Sequence, residues 1–287
     1  MEWKTKITEM LGCKYPIIQG AFAGLGRAFL AAPVSEAGGF GIITAHNFKT
    51  AELLREEIIR AKEMTKNNFG INFTLMPPKL SEDYYLEMVD VVIDEGIKTV
   101  FTSAYKAKKI GEKLHSGGVS WIHKCATMKH AIATQNHGAD AVVIVGVEGT
   151  GFKNSLQNTT LINMVMANRK LDIPFIAAGG IGDAHGFLSA LSMGAEAVCM
   201  GTVFMAVKEC PISDKSKERM IKQDCFDPEL FPKVYHHQSR DSASPSMAVG
   251  VVEEVLTAKE LIGTIIGESE DILKRWGFGG ECFSTVE

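Results

Sequence analysis

The residues best suited to chemistry lie in the segment 174–205, PFIAAGGIGDAHGFLSALSMGAEAVCMGTVFM. An apolar run, Phe175–Ala178, ends at Gly179-Gly180. A second, Ala197–Met200, ends at Gly201-Thr202. Each run leads through a small-residue turn into a stretch of helical spacing, with Asp183 placed as an N-cap before Phe187, Leu188 and Leu191. Two strand-to-helix turns of this kind bring unhindered backbone N–H groups and positive helix ends to one end of a sheet, which suits a phosphate group.

Other residues supply weaker signals. Gly20, Ala21, Ala23 and Gly24, in IIQGAFAGLG, could support a planar ligand against the backbone or form a flexible turn. Asn72, inside FGINFTL, is a polar amide in an apolar strand; it needs a hydrogen-bond partner, from a neighbouring loop or from a ligand. Lys124 closes SWIHK at a strand end, where it faces solvent, a bound anion or the electron-rich edge of a reduced flavin, and His123 beside it reads as a packed or solvent-edge histidine rather than a catalyst. Glu148, in the glycine-rich VGVEGTG, reads as a loop anchor. His46 and the His236-His237 pair have no assigned role. Metal-ligand residue types do not converge at a recognisable spacing, so no metal site is expected.

These positions sit at the ends of a series of strands. Apolar runs at Pro16–Gln19, Phe40–Thr44, Phe69–Thr74, Thr99–Ser103, Val119–His123 and Ala141–Val145 precede the two already described, giving eight. Helical periodicity appears between them at Ala51–Met64, Asp83–Glu95, Lys106–His115, Met128–His137, Thr159–Arg169 and Asp183–Met193. Alternating strands and helices imply parallel pairing, and runs such as AVVIV imply burial on both faces. Eight units close a (β/α)8 barrel, in which the seventh and eighth turns form the usual phosphate site. An open doubly wound sheet is the competitor. It is disfavoured because no GxGxxG follows the first strand. The segment 209–247 breaks the pattern and reads as a lid or contact segment of a single barrel domain spanning 1–287. Val251–Trp276 resumes helical spacing as a C-terminal helix.

Composition narrows the class. The 287 residues carry a formal net charge of −4 without a basic tract, which argues against nucleic-acid binding. Six scattered cysteines without a CxxC pair argue against a disulfide framework. The charged amphipathic start and the lack of a long apolar run lead us to expect a cytoplasmic protein with no membrane association. A small-molecule substrate is the expected partner and a homodimer the candidate assembly.

Taken together, YPIIQGAFAG, LAAPVSEAGGFGIIT, FGINFTL, IHKCATMKHA, GADAVVIVGVEGTG, IPFIAAGGIGD and LSMGAEAVCMGTVF resemble the nitronate monooxygenase family over roughly residues 10–210. The related FMN-dependent enoyl-ACP reductases share this framework. The resemblance implies a TIM barrel that binds FMN. It places the phosphate at Gly180, Met200, Gly201 and Thr202, and the ring against Gly20, Ala21 and Phe22 near Asn72. Thr150 and Lys124 fall among the cofactor contacts, Lys124 toward the pyrimidine edge.

The implied activity is FMN-dependent oxidation of a nitronate. Alternatives are NAD(P)H-dependent reduction of an enoyl thioester, with NAD(P)H as electron donor, and a flavin-binding barrel without catalysis. The sequence departs from the family at one point that matters. The sixth-strand loop usually reads E-A-G-G-H, ending in the catalytic histidine; here it reads Glu148-Gly149-Thr150-Gly151-Phe152. A phenyl ring can neither take nor give a proton. Lys153 and His46 are then the weak candidates for that role, Lys153 only if burial lowers its pKa.

Overall fold

The structure is a computed structural model and describes residues 1–151, 154, 156–236 and 245–278, the side chains of Phe231 and His236 excepted. In chain order the elements are α1 (Lys6–Leu11), β1 (Ile17–Gln19), α2 (Ala28–Glu36), β2 (Ile42–Thr44), a 3-10 turn (Ala45–Asn47), α3 (Ala51–Met64), β3 (Gly70–Leu75), α4 (Glu82–Asp94), β4 (Thr99–Ala104), α5 (Lys108–Ser116) and β5 (Ser120–Cys125). Then come α6 (Met128–Asn136), β6 (Ala141–Val145), α7 (Thr160–Lys170), β7 (Phe175–Ala178), α8 (Ala184–Ser192), β8 (Ala197–Met200), α9 (Thr202–Met205), α10 (Asp214–Ile221), α11 (Leu230–His236), a second 3-10 turn (Met247–Val251) and α12 (Ala258–Arg275).

All eight strands are parallel, in the order β1-β8-β7-β6-β5-β4-β3-β2. The ring closes between β1 and β2 through a bridge at Ile18 and Phe40, with Gln19 N–H donating to Phe40 O and Phe40 N–H to Ile17 O, both at 2.9 Å. The fully buried Gln19 completes the seam: its Oε1 accepts the Ile42 N–H at 3.0 Å. A side-chain amide thus stands in for a ladder bond where the two strands diverge. The expected (β/α)8 barrel is what the chain forms.

Strand alternation divides the apolar residues into layers. Ile18, Phe40, Ile42, Phe101, Ile122, Val143 and Ile176 fill the barrel interior, and Ile7 and Leu11 of α1 join them. Outward-facing residues pack under the helices, with Ile71, Phe73 and Trp121 against α3 to α5, and Ile17, Val142, Phe175 and Val198 in the cluster that includes α8 and α12. Close approach fixes two glycines. A Cβ on Gly41 would lie 2.0 Å from the Ala31 carbonyl oxygen of α2, and one on Gly111 would lie 2.2 Å from the Trp121 ring.

Helix starts follow the capping chemistry of the sequence. Thr50, Ser81, Thr127, Thr159 and Asp183 each accept a backbone N–H from their first helical turn. Asp183 thereby takes the N-cap role expected of it. The sequence reading did not mark α1, α2 or α11. Helix α2 is buried around most of its circumference, so it shows little amphipathic contrast, and it carries Pro33 internally. Among the described residues, no helix is long and apolar enough to cross a membrane.

Candidate active site

A cavity of ≈ 1240 Å³ occupies the C-terminal ends of the strands. At one end are the two turns singled out in the sequence. Gly179 and Gly180 follow β7 with φ of +102° and +75°, a backbone conformation that disfavours any side chain with a Cβ. Gly201 caps α9 without a side chain, and the N–H groups of Gly180, Gly201 and Thr202 meet no protein acceptor among the described residues. Gly180, Gly201 and Thr202 line the cavity.

Met200 is set back. Its side chain is buried in the outer core and its carbonyl accepts the Gly20 N–H at 2.8 Å, which ties the first-strand turn to the eighth. The sequence did not reveal Ser246, which returns from the far side of the 209–247 segment. Its hydroxyl lies 2.7 Å from Thr202 Oγ1, its N–H donates to the same oxygen at 2.8 Å, and it also lines the cavity.

The floor is built by Gly20, Ala21, Phe22 and Ala23. Asn72 is buried, pointing inward from β3; its Nδ2 donates to Thr74 Oγ1 at 2.9 Å, and its Oδ1 has no protein donor among the described residues. The amide is thus held by a residue two positions along the same strand rather than by a neighbouring loop, and the carbonyl oxygen is left at the cavity wall. Lys124 points inward from β5, half-buried, and enters no ion pair among the described residues. It lies near the Cys199 thiol, whose pKa burial raises and Lys124 opposes. His46 lines the same cavity from the turn after β2. Its Nδ1 is sealed without a partner, and burial lowers its pKa, so the ring is neutral at pH 7.

The sixth-strand loop is anchored through Glu148. Its carboxylate accepts the Thr160 N–H at 3.0 and 2.9 Å and the Thr160 hydroxyl at 2.9 Å, at the start of α7. Thr160 Oγ1 also lies 2.8 Å from the Gly179 carbonyl, so its single hydroxyl proton is shared between that oxygen and the acid, which ties the loop to the turn after β7. Gly146 leaves room for this contact, since a Cβ there would lie 2.0 Å from Thr160 Oγ1. Gly149, Thr150 and Gly151 continue along the cavity wall. Phe152, Lys153 and His237 lie outside the described residues.

The cavity lining carries Lys79, Lys106 and Lys124 together with His46, His123, His130 and His137, and no aspartate or glutamate among the described residues. In a chain of net charge −4, this is a local positive field. Uncapped N–H groups at one end, a floor of small residues and a neutral or cationic wall fit a ligand with a phosphate at one end and a flat ring system, as FMN has.

Comparison with known proteins agrees with this geometry. The family model for nitronate monooxygenase matches residues 4–243. A probable nitronate monooxygenase of Staphylococcus aureus is 30% identical over 257 residues, covering 76% of this chain and 72% of its own. A (3aS,4S,5R,7aS)-5-hydroxy-7a-methyl-1-oxo-octahydro-1H-indene-4-carboxyl-CoA dehydrogenase of Rhodococcus jostii is 29% identical over 231 residues, 80% of this chain. The chain spans 63% of that relative's length. Among solved structures, FabK from Thermotoga maritima superposes with a TM-score of 0.83 at 28% identity, covering 96% of this chain and 98% of the other. The chain belongs to the nitronate monooxygenase family, a family of flavin-dependent oxidoreductases.

Proposed function

We propose that the chain binds FMN and is an oxidoreductase whose nearest named activity is oxidation of a nitronate. The observation that carries this reading is the single cavity that joins the uncapped turns at Gly180 and Gly201-Thr202 to the small-residue floor at Gly20–Phe22. Bound FMN would supply the electron-transfer chemistry. The chain's residues bind and tune it. Gly180, Gly201 and Thr202 would hold the phosphate, Asn72 Oδ1 would accept from a ring N–H, and Lys124 would favour negative charge on the ring edge it faces.

Family resemblance puts Phe152 at the position of the catalytic histidine, and Glu148 is held by Thr160. Neither offers a base for deprotonating carbon. A preformed nitronate needs none, so it is the substrate form this site suits.

A second reading, reduction of an enoyl thioester with NAD(P)H as donor, is favoured by the size of the cavity and by a lining without carboxylates among the described residues, which could admit a large anionic substrate. One relative is named as acting on a carboxyl-CoA compound. Absorption spectra of the purified protein, before and after addition of FMN, test the common premise: flavin bands with FMN bound stoichiometrically support it, and protein that neither carries nor takes up FMN refutes it. Anaerobic NADH or NADPH then separates the readings, since bleaching of the flavin supports the reductase.

A further inference from the structure

Strand β5 alternates, with Ile122 and Lys124 toward the barrel interior and Trp121, His123 and Cys125 toward the helix layer. The cavity nevertheless reaches both faces of β5. Beyond the mouth it continues along the outer face, where Trp121, His123 and Cys125 line it together with Ala133 and Thr134 of α6 and its C-cap His137. A flat ring lying over the barrel mouth does not account for this extension.

His123 is the unusual residue in it. It is 4% exposed, and its Nδ1 lies 2.6 Å from Thr102 Oγ1. The same oxygen accepts the Trp121 indole N–H at 2.7 Å, and indole can only donate. Thr102 is fully buried, so its hydroxyl proton needs an acceptor, and His123 Nδ1 is the one in reach. The chain Trp121 N–H to Thr102 O–H to His123 Nδ1 therefore fixes the Nε2–H tautomer. Burial keeps the ring neutral, with its pKa pushed down to about 4. Nε2 has no protein partner among the described residues and is not sealed from the cavity. At the lip, Lys106 is exposed and enters no ion pair among the described residues, whereas Lys108 and Lys109 pair with Glu112 and Asp83. His130 and His137 add to the same side.

The geometry points to a second ligand site in this side pocket, between β4, β5 and α6, where the Nε2–H of His123 binds an oxyanion group, a carboxylate or a phosphate, of an organic molecule. A fixed neutral donor in a buried pocket with a cationic lip selects an acceptor oxygen carrying negative charge. The acidic end of an elongated substrate could sit here while its reactive part reaches the floor at Gly20–Phe22. The inference extends the oxidoreductase reading, since the pocket shares its cavity, but it does not depend on bound flavin.

The test uses the full chain with 15N-labelled histidine. Long-range 1H–15N spectra at pH 7 should show His123 as the Nε2–H tautomer. Titration with sodium hexanoate or inorganic phosphate should shift its resonances saturably, the more effective probe identifying carboxylate or phosphate as the group bound. His123→Phe should weaken binding of that probe roughly tenfold or more. His123→Gln, which keeps a donor, should retain most of it, and Lys106→Gln should weaken it severalfold. An Nδ1–H tautomer, or the absence of saturable shifts with either probe, overturns the inference. So does unchanged affinity in His123→Phe. If that variant does not fold, the tautomer and the Lys106→Gln titration still decide. Protein that takes up no FMN yet binds a probe at His123 would sink the oxidoreductase reading alone. Flavin-bound protein whose His123 ignores both probes would sink this one alone.

Discussion

The burial of His123 predicts a specific dependence of stability on pH. In the folded chain its pKa is about 4, against an ordinary 6.5, because burial disfavours the imidazolium and His130 and His137 of α6 add like charge when protonated. The folded value lies below the unfolded one, so as pH falls the unfolded chain takes up the proton first and stability drops. The contribution of neutral His123 is intact above about pH 6.5 and is lost as pH falls toward 4. The full interval is worth about 3 kcal/mol, of which about 2 kcal/mol falls between pH 7 and pH 5. Carboxylates held low by cationic partners or hydrogen bonds, such as Glu95 and Glu260, act in the same direction but chiefly below about pH 4.5. His46, whose pKa is also lowered, is common to wild type and variant and cancels in the comparison. Urea unfolding of wild type and His123→Gln at pH 7 and pH 5 isolates the effect. The wild type should lose about 2 kcal/mol more than the variant between the two pH values. Parallel losses would show that His123 is solvated or already paired, and would refute the buried, neutral imidazole.

Three further outcomes test the site and its support. Gly180→Ala forces a Cβ onto a residue with φ of +75° and 3.2 Å from Glu148 Cβ, so FMN affinity should fall about tenfold, for roughly 1–2 kcal/mol of strain, by quenching of flavin fluorescence. Unchanged affinity would remove Gly180 from the phosphate cradle. Thr202→Val leaves the buried Ser246 N–H and hydroxyl without their shared partner and should cost about 1–3 kcal/mol in urea unfolding. Gly111→Ala drives a methyl group into the Trp121 ring and should destabilise by about 1–3 kcal/mol, with an altered near-ultraviolet circular dichroism signal from Trp121.

The barrel was legible because its physical signal is local. Each of the eight apolar runs overlaps a strand or its closing bridge, and each glycine-rich turn at β7 and β8 marks a place where backbone must stay bare. The bare turns that we propose hold a phosphate were legible for the same reason. What the sequence hid depends on partners distant in the chain. Ser246 reaches Thr202 across 44 positions, and nothing near it marks it as a site residue. His123 reads in the sequence as packed or at a solvent edge; burial decides for packed, and its bonding becomes visible only when Thr102 and Trp121 are placed beside it. Helix α2 escaped notice because burial on most sides erases the polar face that periodicity detects.

The placement of acids around the mouth constrains the chemistry further. Glu148 is the acid nearest the phosphate-side turn, and both its oxygens face the start of α7, where the Thr160 N–H, its hydroxyl and the positive end of the helix stabilise the carboxylate. A carboxylate held in that way is turned toward α7, and it does not line the cavity. Among the described residues the cavity lining offers no carboxylate. The neutral rings of His46, whose Nδ1 is sealed without a partner, and His123 line the same cavity. The described wall therefore offers cations and neutral rings to an anionic ligand and no carboxylate base. That favours reactions in which the substrate arrives already ionised, as a nitronate does, or accepts hydride at an activated double bond, and it disfavours oxidation of a neutral nitroalkane.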